Sequence, residues 1–163
     1  MLHTAVNLNL LKIKLCWKFP KMTSSTQIEK YLKNHSEFLG CFGTNNLPKA
    51  LPQFPCSLIV NTDPTTKPGD HWLGLVLTKN KCFFFDSFGL GIMDLNIKIF
   101  LKQYYKKVSI NNHCIQHLNS DKCGLYCIAF IKHVNSTMTY EKFISKFNLY
   151  NLLGNDNVVL SLL

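Results

Sequence analysis

Four residues of this chain have the types and spacing for nucleophilic acyl transfer: His71, Asp86, Gln116 and Cys123. A thiol attacks as its thiolate. That anion is favoured at a helix start, where backbone N–H groups lack partners and the helix dipole is positive. Cys123 follows the capping types Asn119, Ser120 and Asp121 and precedes the apolar run IAFIKHV, so it is expected in the first turn of a helix. Lys122 is expected to add a positive charge beside it, and Gly124 to let another chain come close. Leu125, Ile128, Ala129, Ile131 and Val134 form the side of that helix to be buried. Gln116, seven residues upstream, carries a neutral amide N–H that could meet a developing oxyanion. On this stretch alone the plainer reading is favoured, a buried helix with a packed cysteine, because free Cys is among the most buried residue types. A base must come from elsewhere.

The chain offers one. His71 opens the run HWLGLVLT and Asp86 closes KCFFFD, with Lys79–Asn80 as the turn between two expected strands. A two-residue turn brings the start of one strand and the end of its partner to the same end of the ladder. There Asp86 can accept from one imidazole nitrogen of His71, leaving the other to take a proton from a thiol. Taken singly, His71 reads as a strand-edge histidine and Asp86 as an acid solvating a strand end. Together with Cys123 they form a base, an orienter and a nucleophile in one small domain.

The elements that must position these residues are those of an α+β domain. A helix is expected from about 26 to 35, with Thr26 and Glu29 as a capping box and Ile28, Tyr31 and Leu32 inward. Residues 40–55 read as a loop with three prolines, and CSLIVN (56–61) as a buried strand. After the hairpin come a helix over about 94–105, a short strand over 107–110, the helix of Cys123 and a last helix over about 139–149. Tyr140, Phe143, Ile144 and Phe147 mark the inward side of that last helix. No run of about 20 apolar residues exists for a membrane span.

The 163 residues make one domain with a core of ordinary size. Seven cysteines, an odd number without a small-scaffold pattern, imply a reducing compartment. An intracellular location, nucleus or cytoplasm, is therefore expected. All 18 basic residues are lysines and the net charge is +9, so bidentate reading of bases is disfavoured while point-charge contact with a polyanion is open. Residues 1–21 hold four lysines and no acid; residues 22–163 hold 14 lysines against 9 acids, net +5. Residues 1–21 are thus expected to be a basic, poorly ordered leader and 22–163 the domain proper.

In order and spacing, the blocks FLGCFG, CSLIVNT, GDHWLGLVL, CFFFDSFG and Q-x6-CGLYC resemble the adenain-like maturation cysteine proteases of DNA viruses and large Maverick/Polinton-type transposons. The likeness runs from about Thr23 to Val134. Ubiquitin-like-protein-specific proteases are more distantly similar, with Gln one residue nearer the Cys. The resemblance implies a papain-like fold with a mixed sheet flanked by helices. Cys123 is then the nucleophile, His71 the base, Asp86 the third member and Gln116 the oxyanion donor, with Trp72 and Gly124 in the substrate groove. Adenain itself has Glu where this chain has Asp86. The chain runs 40 residues beyond Cys123, which implies fewer C-terminal helices than the family carries.

By resemblance, the substrates are capsid or core precursor proteins cut after glycine-containing sites, and the virion joins the expected locations. No cofactor is expected to be required, with no peptide cofactor because Cys114 sits too close to Gln116 for a disulfide of that kind. DNA is a candidate activator held by Lys98, Lys102, Lys106 and Lys107, whose spacing is near-helical. A monomer without membrane contact is expected. Three alternatives stand beside this reading. One is a deubiquitinase- or deSUMOylase-like isopeptidase; another is a degenerate, non-catalytic binding module. The third is a zinc site from His113, Cys114, His117, Cys123 and Cys127, which lacks any CxxC knuckle.

Overall fold

The computed structural model describes residues 23–134 and 139–163. The expectation for residues 1–21 lies outside the described residues. Helix α1 (Ser25–Leu32) leads into strands β1 (Phe38–Gly43), β2 (Cys56–Asn61), β3 (Trp72–Leu77) and β4 (Cys82–Phe85). Helix α2 (Leu95–Lys102), the short strand β5 (Ser109–Ile110) and helix α3 (Cys123–Val134) follow. Helix α4 (Tyr140–Ile144), a 3-10 turn (Leu152–Gly154) and helix α5 (Asn155–Ser161) complete the chain. Among the described residues no helix is long and apolar enough to cross a membrane.

The five strands lie in sequence order. The two outer pairs, β1/β2 and β4/β5, are parallel, and the two central pairs are antiparallel, giving a mixed sheet in an α+β fold. Strand alternation sorts the core into two layers. Ile59, Trp72, Val76 and Phe85 face α1, α3 and α4, while Leu58, Val60, Leu73, Leu75, Leu77 and Phe84 face α2. Burial on both faces explains why β2 and β3 read as near-continuous apolar runs rather than alternating ones. Gly74 in the central strand is the contact point for α3. A Cβ there would stand 2.8 Å from the Phe130 ring, which instead stacks on Phe85 at 4.8 Å between centroids. That contact sets the height of α3, and so of Cys123, above the sheet.

Several expectations are corrected. The capping box is Ser24–Gln27 rather than Thr26–Glu29, because Ser24 takes the extended conformation an N-cap needs and its Oγ accepts from Gln27 N. The shorter helix buries Ile28 and Leu32 and leaves Tyr31 48% exposed. FLGCFG, partly read as loop, is a strand. Its register shifts between Phe38 and Cys41, where Gly40 has φ +127°, so the irregularity hides a strand from pattern reading. Helix α2 stops at Lys102, three residues short, since Tyr105 turns inward to donate its hydroxyl to Thr78 O at 2.6 Å. Helix α4 ends at Ile144, yet Tyr140, Phe143, Ile144 and Phe147 are all buried. Helix α5 was not expected.

Candidate active site

His71 stands one residue before β3 and Asp86 one residue after β4, so the antiparallel register delivers both to the same edge of the sheet. Thr62 N donates to His71 O at 2.8 Å and ties the start of β3 to the end of β2. Across the pair, His71 Nε2 meets Asp86 Oδ1 at 2.7 Å, with both side chains buried.

The turn after β4 is built around the Asp86 carboxylate. Phe88 N donates to Oδ1 and Leu90 N to Oδ2, each at 2.9 Å. From the other side, Asn111 Oδ1 accepts from Asp86 N at 2.9 Å and Asn111 Nδ2 donates to Asp86 O. Gly89 makes the turn feasible. It sits at φ +66°, and a Cβ there would stand 2.6 Å from the carbonyl carbon of His113. Phe88 lays its ring against the imidazole, with centroids 4.9 Å apart.

Electrostatics follow from this packing. Burial alone would push the His71 imidazole down. The charge and hydrogen bond of Asp86, with a lesser contribution from Cys123, reverse that and raise it to about 10. Burial likewise pushes Asp86 up, but the His71 charge, the His71 hydrogen bond and the two backbone donors hold it below the ordinary carboxylate range. The ionised carboxylate can only accept, so Nε2 carries the proton that joins them. Asp86 thus takes Nε2, and Nδ1, buried without a formed hydrogen bond, is left for the Cys123 side.

Cys123 is the first residue of α3, as its capping neighbours predict. Lys122 behaves differently from expectation. Its Nζ lies 3.3 Å from Asp156 Oδ2 and 3.5 Å from Asp121 Oδ1, so its charge is taken by carboxylates rather than offered to the thiol. Burial pushes Cys56 up to about 11 and both Cys41 and Cys82 up to about 12. Burial also raises Cys127, which donates to Trp72 O at 3.2 Å.

Gln116 is buried and its amide orientation is fixed. Nε2 donates to Ser120 O at 2.7 Å, and a carbonyl can only accept, so the nitrogen must face it. Ser87 Oγ meets Oε1 at 2.6 Å, and Ser87 O also accepts from the backbone N–H of Ile115 and Gln116. One amide N–H remains uncommitted.

Trp72 and Gly124 do come together, but the chain that closes on them is the protein's own. Trp72 Nε1 donates to Thr23 O at 2.7 Å, and a Cβ on Gly124 would be 2.7 Å from Thr23 Cβ and 3.2 Å from Trp72 Cδ1. Beside them opens a cleft of about 530 Å³, bounded by Thr23, Phe42, Asn61, Asp63, Gly69 and Trp72. Lys98, Lys102, Lys106 and Lys107 are all exposed, but only the first two share a helix, so the near-helical spacing does not make one face.

The zinc ligand set is dispersed. Cys123 faces His71, Cys127 bonds Trp72 O, and His117 Nδ1 accepts from Asn119 N. Among the described residues no three such side chains gather to hold a metal ion.

Sequence reading missed Ser87, Asn111 and the Asn155–Asp156 pair. Ser87 had a signal in its place between Asp86 and Phe88. Asn155 and Asp156 had none, being 32 and 33 residues past Cys123 in a polar segment. No curated protein matches the chain. The sequence model of the adenovirus endoprotease family matches residues 38–153, most of the chain, and the chain belongs to that family of cysteine endopeptidases.

Proposed function

We propose that this cysteine endopeptidase works through Cys123, His71 and Asp86, with Gln116 and the backbone N–H of Cys123 as the oxyanion hole. The observation that carries the reading is the buried 2.7 Å His71 Nε2–Asp86 Oδ1 pair, whose other ring nitrogen is left for a thiol at a helix start. The thiol proton passes to His71 Nδ1 and Sγ bonds to the peptide carbonyl carbon. The oxygen then carries the negative charge, which the uncommitted Gln116 N–H meets. As the C–N bond breaks, His71 returns the proton to the departing amine. Water, deprotonated by the same nitrogen, cleaves the thioester and frees the thiol. Asp86 stays ionised throughout and keeps the ring oriented.

The proposed substrates are precursor proteins of the capsid or core type, cut after glycine-containing sites. Support comes from the family match and from the cleft of about 530 Å³ that reaches Trp72, the residue after His71. Non-specific DNA is a proposed partner, through the exposed Lys98, Lys102, Lys106 and Lys107. Its affinity should fall steeply with salt and hardly vary with sequence.

The test is digestion of a peptide library, with cleavage sites read by mass spectrometry, beside the Cys123→Ala variant. Cuts at glycine-containing sites that vanish in the variant are expected. Cutting that persists in the variant, or none by either protein, overturns the reading. Release of a ubiquitin-like protein from a lysine-linked conjugate, without peptide cutting, would replace endopeptidase by isopeptidase.

A further inference from the structure

We infer that Asp156 and Asn155, at the start of the C-terminal helix α5, are positioning residues for the oxyanion loop. The inference rests on the proposed role of Gln116. Residues 115–122 carry Gln116 into α3, and they contain neither helix nor strand to hold their shape. A turn from His117 O to Ser120 N, 2.9 Å, bends them, and further support comes from outside. Asn155 is buried, and its amide is fully used. Oδ1 accepts from Asn148 N at 2.9 Å, and Nδ2 donates to both Asn148 O and Ile115 O at 2.8 Å. Ile115 O belongs to the peptide group that precedes Gln116, so Asn155 fixes where that side chain begins.

Asp156 fixes where it ends. Its Oδ1 accepts from Ser120 Oγ at 2.9 Å and from Tyr126 OH at 3.1 Å, and Oδ2 faces Lys122 Nζ at 3.3 Å. Ser120 is the residue whose carbonyl receives Gln116 Nε2. A continuous chain of hydrogen bonds therefore runs from Asp156 through Ser120 to the Gln116 amide, with Tyr126 and Lys122 tying the same carboxylate to α3. Every member is polar and short, so displacing Ser120 moves the Gln116 nitrogen with it. The reacting atoms are untouched: neither Asp156 nor Asn155 contacts His71 or Cys123. A purely structural account, in which α5 is merely tied down, predicts changes in stability alone.

The two accounts separate in kinetics. Asp156→Ala should lower kcat by about ten- to a hundredfold, the scale of a misplaced catalytic group, with KM nearly unchanged. Alkylation of Cys123 by a small alkyl halide builds no oxyanion, so its rate should stay within about twofold. Asp156→Asn, which keeps one oxygen acceptor, should recover most of the loss. The deciding measurement is the double variant with Gln116→Ala, which should be hardly slower than Gln116→Ala alone, because both changes empty one interaction. Should Asp156→Ala fail to fold, Ser120→Ala removes the bridging hydroxyl at a half-exposed site and must show the same pattern more weakly. An unchanged kcat, alkylation falling in step with kcat, or losses that multiply in the double variant would each overturn the inference. If Cys123→Ala still cleaves, the catalytic reading itself fails and this one with it; if only Gln116→Ala is as fast as the parent, the Gln116 part of the oxyanion hole and this inference fall together, while the Cys123–His71–Asp86 reading stands.

Discussion

The two halves of the site are supported in opposite ways. The proposed base half is held mainly from nearby in sequence, with Asn111, 25 residues on, bracketing the Asp86 backbone. Asp86 receives Phe88 N and Leu90 N from its own turn and His71 from the adjoining strand, 15 residues away. The oxyanion half is held from a distance, by Ser87 on one side, 29 residues from Gln116, and by Asn155 on the other, 40 residues from Ile115. Support of the first kind comes mainly from a hairpin and one turn. Support of the second kind exists only when the sheet, α3 and α5 are all in place. Damage to the first half should therefore appear as lost charge and stability, and damage to the second as lost geometry.

His71→Ala gives the largest expected effect. It removes the proton acceptor and abolishes turnover, and it strips Asp86 of its cation while the carboxylate stays buried. Breaking a buried pair costs about 3–5 kcal/mol, and the two backbone donors that Asp86 keeps place the loss near ~3 kcal/mol. Denaturant unfolding reads the stability. Iodoacetamide labelling should slow at Cys123 without changing at the other cysteines. Equal labelling of Cys123 in parent and variant would sink the assignment of His71 as its partner.

How much of this was legible in the sequence divides along the same line. His71, Asp86 and Cys123 could be placed because strand alternation, a two-residue turn and a capping sequence are local signals. Trp72 and Gly124 were put in the substrate groove by resemblance alone, and no pattern announced that Thr23 would close over them. Lys122 was misjudged because its partner, Asp156, lies 34 residues on in a helix too short and too polar to show periodicity. β1 was blurred by Gly40, whose positive φ breaks the alternation that marks a strand. What the sequence withheld is what long-range hydrogen bonds decide.

Gln116→Ala should act on the other half. The folded base pair remains intact, so Cys123 alkylation should be nearly unchanged while turnover falls by ~10²–10³, the usual cost of one oxyanion donor. Ser87→Ala, which frees Oε1, should lower turnover in the same direction by less. Labelling and turnover falling together in Gln116→Ala would break the comparison, since the two halves would then be one unit.

The pH dependence separates the halves again, with a smaller effect. The His71 pKa is raised on folding, to about 10. Its stabilisation is therefore complete below the unfolded histidine value near 6.5 and is lost as pH rises through about 10. The Asp86 pKa is lowered, so its stabilisation is complete above the unfolded value near 3.9 and is lost as pH falls below it. The stability gap between the parent and His71→Ala should thus be widest at about pH 5, narrower at about pH 8 and small beyond pH 10. The gap for Gln116→Ala should be flat, because an amide does not titrate. A flat profile for His71→Ala would mean that the pair contributes packing rather than charge.

The smallest expected effect lies where the described chain begins. Thr23 O receives the Trp72 indole N–H, and its side chain packs on Gly124, one residue from Cys123. Those contacts need Thr23 and nothing before it. Residues 1–21 hold four lysines and no acid, beside a domain at net +5. Removing them leaves Met22 first and the Thr23 contacts intact. Unfolding free energy should shift by no more than about 1 kcal/mol, the range of a surface change. Turnover of a good peptide should stay within about twofold, since neither half of the site loses a partner. Cutting one residue further, through Thr23, removes the acceptor for the Trp72 N–H and uncovers Gly124. That protein should lose stability by about 1–3 kcal/mol, the cost of an unpaired buried donor. If the shorter deletion already unfolds the protein, the boundary of the folded domain lies earlier than Met22.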